Sequence, residues 1–248
     1  GLVVVDTYTY WSSFGQWIIL LLIQLGGLGF MSFATLFSLM LRRTISFSER
    51  LVMKETLNFF DTAGIVRTTR HILLGTLFFE GTGAVILSIR FAKDFGWAGG
   101  IRRGIFHAVS AFCNAGFDLM GSYGEFSSLT HYTGDIVVNL VVMSLIVIGG
   151  LGFFVWEDIA RKRTLNLKKL TLYSRLVLTV TVLLIAGGAA FFLFFEWDNP
   201  GTLGLLTPAN RLMAATFQSV TCRTAGFNTV NQAALTPASA MLSMLLMF

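Results

Sequence analysis

Two short stretches hold the residues whose types and spacing could do chemistry. One reads Ser110-Ala111-Phe112-Cys113-Asn114-Ala115-Gly116-Phe117-Asp118, the other Ser219-Val220-Thr221-Cys222-Arg223-Thr224-Ala225-Gly226-Phe227-Asn228. Ala-Gly-Phe followed by Asp or Asn recurs at an interval of about 110 residues, the spacing of a duplicated structural unit. Each stretch follows an apolar run too brief to cross a bilayer, so the backbone would enter the membrane and turn back. Non-helical backbone at that depth persists only where it lines water or is buried in protein. The chemistry that suits it is coordination of a dehydrated monovalent cation by main-chain carbonyls of Asn114, Ala115, Gly116 and Phe117 and of Thr224, Ala225, Gly226 and Phe227. Gly116 and Gly226 supply backbone angles that a side chain would forbid. Short helices entering from outside would aim their partially negative C-terminal ends inward, favouring a cation.

Residues beside these stretches are expected to support them. Asp6, Asp118 and Asn228 lie just beyond, where a carboxylate would concentrate cations at a mouth; ordinary loop polarity accounts for each alone equally well. Arg223 would repel a cation in the path, so it is read as bracing the loop from behind by bonding carbonyls or a carboxylate, with direct gating as the weaker reading. Cys113 and Cys222 are expected to pack around the loops, without a disulfide.

The elements that must position these residues follow from hydropathy. Hydrophobic residues are 54% of the 248 and charged residues 12%, which places the chain in the membrane class. Twelve of the eighteen basic residues sit in two loops between apolar segments. That is a topology signal, not a nucleic-acid-binding stripe, and it puts both loops in the cytoplasm. The reading divides the chain into a first-unit tail (1–41), a cytoplasmic loop (42–70), a second unit (71–156), a cytoplasmic loop (157–175) and a third unit (176–248), which the end of the sequence truncates.

Within these, Trp17 to Leu41 is a span, 48–57 a surface helix, 72–89 an outward span, 91–103 an outer loop, 105–112 a short descending helix, and 136–156 an inward span. Leu176 to Phe195 is the next span and Asn210 to Val220 the second descending helix. Gly-Gly-Leu-Gly-Phe occurs twice, at 26–30 and 149–153, and for the first copy plain helix packing is the simpler role. Glu80, at mid-span, reads as a cation site or as the partner of a backbone amide or an arginine, the structural role being the simpler.

The expected fold is therefore all-α integral membrane, with pseudo-repeated helix–pore loop–helix units around a central cation pore. A secondary transporter of another small solute, using broken helices and Glu80, is the alternative. An enzyme ranks third. His71, His107 and His131 lack metal-ligand spacing, and no nucleophile–base or phosphate-loop pattern is present.

The ordered motifs resemble the Trk/Ktr/HKT superfamily of potassium transporters, and within it the KtrB-like membrane subunit. Cys113 to Asp118 looks like the second selectivity filter of that family, Arg223 to Asn228 like the third, and Gly1 like the glycine closing the first. Cys222 stands where many relatives carry proline. The resemblance implies four units around one pore, a homodimer, a cytoplasmic nucleotide-binding regulatory subunit, and potassium uptake with sodium dependence in some members. It implies no cofactor beyond the transported potassium, or sodium. A glycine at position one implies potassium-type selectivity over the serine of some sodium-selecting relatives.

Overall fold

A computed structural model of the chain describes residues 4–28, 65–164 and 166–247. Gly1, the inner end of the first span, the expected surface helix at 48–57 and most of the first basic loop lie outside the described residues. The described residues are all-helical, with no strand. In order they form α1 (Thr7–Tyr10), α2 (Ser13–Leu28), α3 (Ile65–Phe112), α4 (Ile136–Gly150), α5 (Phe153–Lys162), α6 (Leu172–Glu196), α7 (Pro208–Thr221) and α8 (Pro237–Met247), with three 3₁₀ turns between them.

Two of these helices are long and apolar enough to cross a membrane, Arg70–Phe112 and Leu172–Glu196, and the pair α4 and α5 makes a third if read as one bent span. Leu77, Phe78, Leu183 and Phe194 are each more than 60% exposed, while His107, Gln16 and Glu196 are buried. Apolar outside and polar inside suits a hydrocarbon solvent. This is a multi-pass protein of the cell membrane.

The expected outer loop at 91–103 is absent. Instead α3 is helical throughout except at Gly96, whose φ of 70° and ψ of 171° only glycine occupies readily. That single residue folds the limb at 97–112 back along the limb at 65–95. The hairpin closes because Gly100 and Gly104, one turn apart, present no side chain. A Cβ at Gly100 would lie 2.5 Å from the Ala92 backbone nitrogen, and one at Gly104 2.6 Å from that of Ser88. Gly96 is thus a hinge, and Gly100 and Gly104 form a contact face.

The expected span at 136–156 is not one continuous helix. Its helix, α4, stops at Gly150, and α5 leaves at 93°. Gly152, with φ 84°, forms the corner, and the Trp156 indole N–H donates back to the Ile148 carbonyl at 3.0 Å, satisfying an acceptor that the helix end leaves open. Beyond the bend, Asp158 accepts from the Thr171 amide at 2.8 Å and from Lys162 at 2.9 Å, fixing the start of α6.

The order long helix, short helix, glycine-bearing loop, helix thus occurs twice, as α3–α4 and as α6–α7–α8. One buried cluster joins the two, combining Phe91, Phe112, Met120, Val142 and Ile146 with Phe217, Val220, Ala225 and Phe227. At the C-terminal end of α6, Glu196 accepts from Asn199 Nδ2 and Thr202 Oγ1 at 2.6 Å each, and from Thr236 N at 2.9 Å and Oγ1 at 2.7 Å. It ties α6, the following loop and α8 together. Glu196→Ala strands these buried donors and is expected to cost roughly 2–4 kcal/mol, read as a lower melting temperature of the detergent-purified protein.

Candidate functional site

Both glycine-bearing loops have one backbone shape. Asn114 (φ 52°) and Gly116 (φ 73°) are left-handed in the first, Thr224 (φ 65°) and Gly226 (φ 84°) in the second. Asparagine tolerates this region, whereas a β-branched threonine is strained there by about 1–3 kcal/mol. Matching strain at matching positions marks a conformation that the surroundings impose twice.

That conformation sorts donors from acceptors. The Ala115 amide donates to the Ser110 carbonyl at 2.8 Å, and the Ala225 and Gly226 amides donate to the Thr221 carbonyl at 3.0 and 3.4 Å. Amides are therefore spent on the end of the preceding helix. The carbonyls of Asn114, Ala115 and Gly116, and of Thr224, Ala225 and Gly226, accept no hydrogen bond from any described residue. Carbonyls left without a donor among the described residues call for another polar partner.

The next carbonyls out are engaged. Phe117 O accepts from Ser110 Oγ, and Phe227 O from Thr221 Oγ1, each at 2.7 Å. Leu119 is held at both ends by the descending limb of α3: its carbonyl accepts from Arg103 Nε at 3.1 Å and its amide donates to His107 Nε2 at 3.4 Å. The His107 Nδ1 nitrogen meets the Arg103 carbonyl at 2.7 Å, which assigns Nδ1 as the protonated nitrogen. The Arg103 guanidinium lies 3.7 Å from the Phe95 ring centroid.

The two loops are stitched to each other. The Asn228 amide donates to Ser128 Oγ at 3.1 Å, the Leu129 amide donates to the Asn228 carbonyl at 2.9 Å, and Thr133 Oγ1 donates to the Thr229 carbonyl. His107 and Phe227 face each other with ring centroids 6.2 Å apart. The N-terminal segment joins through Asp6, whose carboxylate accepts from the Tyr8, Thr9 and Phe126 amides. Asp6 is thereby a buried clasp, not an open mouth charge. Asp118 accepts from the Met120 amide at 2.9 Å. Burial pushes its carboxyl up to about 6, the amide opposing and the Asp6 charge adding to the shift.

Both Gly-Gly-Leu-Gly-Phe copies converge on the first loop. A Cβ at Gly27 would sit 2.4 Å from Cys113 Sγ, one at Gly149 only 1.9 Å from the Phe112 carbonyl oxygen, and one at Gly150 3.2 Å from Asn114 Nδ2. Glu80, 6% exposed, accepts from Gln24 Nε2 at 3.1 Å and from Cys113 Sγ at 3.8 Å. Among the described residues its partners are an amide side chain and a thiol, not a backbone amide or an arginine. Cys222 is buried among Phe192, Ala214 and Ala215, and both cysteines are free thiols. The Arg223 guanidinium is half-buried, and its Nη1 meets no acceptor among the described residues.

Sequence reasoning missed Arg103, His107, Ser110 and Thr221. The last two hid for a definite reason: when the glycines are superposed, Ser110 falls opposite Val220 and not opposite Thr221. Among the described residues, no group of three or more His, Cys, Asp or Glu side chains could hold a metal ion.

The family model described as "TrkH: Cation transport protein" matches residues 1–248. The potassium/sodium uptake protein NtpJ of Enterococcus hirae is 43% identical over 248 residues, all of this chain and 53% of that protein. The Ktr system potassium uptake protein B of Bacillus subtilis is 41% identical over the same length, 54% of that protein. Its namesake in Vibrio alginolyticus is 33% identical over 247 residues, 53% of that protein. The chain spans about half the length of these relatives.

Proposed function

Because this chain belongs to the TrkH family of cation transport proteins, a family of transporters and not of enzymes, we propose that it carries potassium inward through a pore lined by the carbonyls of its two glycine-bearing loops. The observation that supports this most directly is the run of three consecutive unbonded carbonyls, Asn114 to Gly116 and Thr224 to Gly226, at the C-terminal ends of two short helices. Such oxygens replace the hydration shell of a monovalent cation, and the helix ends add negative potential. Names of similar proteins point the same way, since one is a potassium/sodium and another a potassium uptake protein. Sodium dependence is part of the proposal.

In this reading Gly1 closes a first filter, the chain holds the tail of one pore unit, one whole unit and most of a third, and Cys113, Asp118, Cys222, Arg223 and Asn228 frame the filters. A full-length version is expected to restore growth of a potassium-uptake-deficient cell at low potassium. Saturable uptake of an organic solute without potassium flux would instead favour a broken-helix transporter, for which the 93° bend between α4 and α5 is the supporting feature.

The proposal extends to a homodimer and to a cytoplasmic nucleotide-binding partner that docks on the basic C-terminal end of α5. Arg161 and Arg163 flank Lys162, which Asp158 already pairs, and both project from the end of that helix. Reversing the charges at 161–163 is expected to reduce co-purification of an acidic regulatory subunit at least tenfold. Retention at wild-type level would leave these residues to anionic lipid.

A further inference from the structure

The two descending helices each place one hydroxyl on the carbonyl that follows the filter glycine's own. Ser110 Oγ donates to Phe117 O and Thr221 Oγ1 to Phe227 O, both at 2.7 Å. These residues are not equivalent in sequence: Ser110 lies seven residues before its phenylalanine and Thr221 six. Arriving at one contact from two registers is hard to attribute to inherited alignment alone, and it fits a requirement on the carbonyl itself. Both hydroxyls are enclosed, Ser110 at 0% and Thr221 at 3% exposure, so water does not compete for the bond.

We infer that Ser110 and Thr221 are selectivity-determining positioning residues: by drawing the Phe117 and Phe227 carbonyls back onto the helices, they end the ion's carbonyl ladder at Gly116 and Gly226. This rests on the reading of the loops as a potassium filter. Discrimination among monovalent cations depends on how many carbonyl dipoles surround the ion and how freely they move. A tethered phenylalanine carbonyl is withdrawn from that set. Released, it becomes an additional oxygen with no fixed position, able to close in on a smaller ion. The two phenylalanines, read from the sequence as members of the filter, thereby become its boundary, the Phe227 ring fully buried and the Phe117 ring partly so.

The test uses the full-length protein in potassium-uptake-deficient cells, measuring potassium and sodium uptake side by side with the amount of protein in the membrane. Thr221→Val keeps the side chain's shape and removes only its hydroxyl function; Ser110→Ala removes one oxygen. Each is expected to lower the preference for potassium over sodium about tenfold, the scale of losing one enclosed hydrogen bond. Thr221→Ser, which keeps the hydroxyl, is expected to stay within about twofold of wild type on the same scale. An unchanged preference in Thr221→Val or Ser110→Ala would overturn the inference. So would a parallel fall of both fluxes, which is what simple loss of structure produces. Should Thr221→Val not accumulate, Ser110→Ala, the smaller deletion, decides by the same ratio. A wild-type protein that moved no potassium would instead defeat the filter reading itself.

Discussion

Replacing Gly116 or Gly226 by valine is expected to abolish potassium uptake, by a factor of about 100 or more, with the protein still present in the membrane. Both positions have φ between 73° and 84°, a region that costs an ordinary L-residue about 1–2 kcal/mol and a β-branched one more. The backbone would escape by rotating the flanking peptides, and those peptides carry the unbonded carbonyls. Each 1.4 kcal/mol lost at the ion site is a factor of ten, so two misdirected oxygens suffice for the expected loss. Gly187→Ala is the control, because its added Cβ meets nothing within 4 Å, and a helix-interior alanine is if anything stabilising. Normal uptake by Gly226→Val would remove the basis for calling this loop a filter.

Gly149→Ala is expected to be the most damaging single methyl in the described structure. Its Cβ would stand 1.9 Å from the Phe112 carbonyl oxygen and 2.9 Å from the carbonyl carbon. These are main-chain atoms, so no rotamer change relieves the clash, and α4 and the end of α3 must separate by more than 1 Å to reach ordinary contact. Overpacking of this kind costs about 1–3 kcal/mol or more. Here it also displaces the residue from which the first loop departs, so uptake should fall below detection even where folded protein remains. The neighbouring Gly150→Ala meets the movable Asn114 amide at 3.2 Å and should retain most of its activity. Equal severity at the two positions, by uptake and by melting temperature, would show that the motif acts only through helix propensity.

Much of the architecture was legible because the signals were local. The span at 176–195 emerged as α6, four residues longer at its start, since an uninterrupted apolar run needs only its own hydropathy to be recognised. The descending helix expected at 210–220 emerged as Pro208–Thr221, with proline at its first turn as the missing donor allows. The failures share a cause. Gly96, Gly99 and Gly100 fall within the expected outer loop at 91–103, yet Gly96 alone turns the chain while Gly100 admits the Ala92 backbone. Likewise Gly152 reads as part of a repeated glycine motif and is a corner of 93°. A glycine's sequence context does not tell hinge from contact.

By itself, then, the sequence determined the membrane class, the duplicated Ala-Gly-Phe stretches, the clustering of basic residues between apolar segments, and the two glycines that permit left-handed backbone. Each of these depends on composition or spacing along one dimension. Only the tertiary structure decided which carbonyls are left without a donor, that hydroxyls from unequal registers reach equal oxygens, and that Gly27, Gly149 and Gly150 all abut one loop. Those outcomes arise where backbones distant in sequence approach within van der Waals contact, and the distance between two chain segments is not a property of either segment alone.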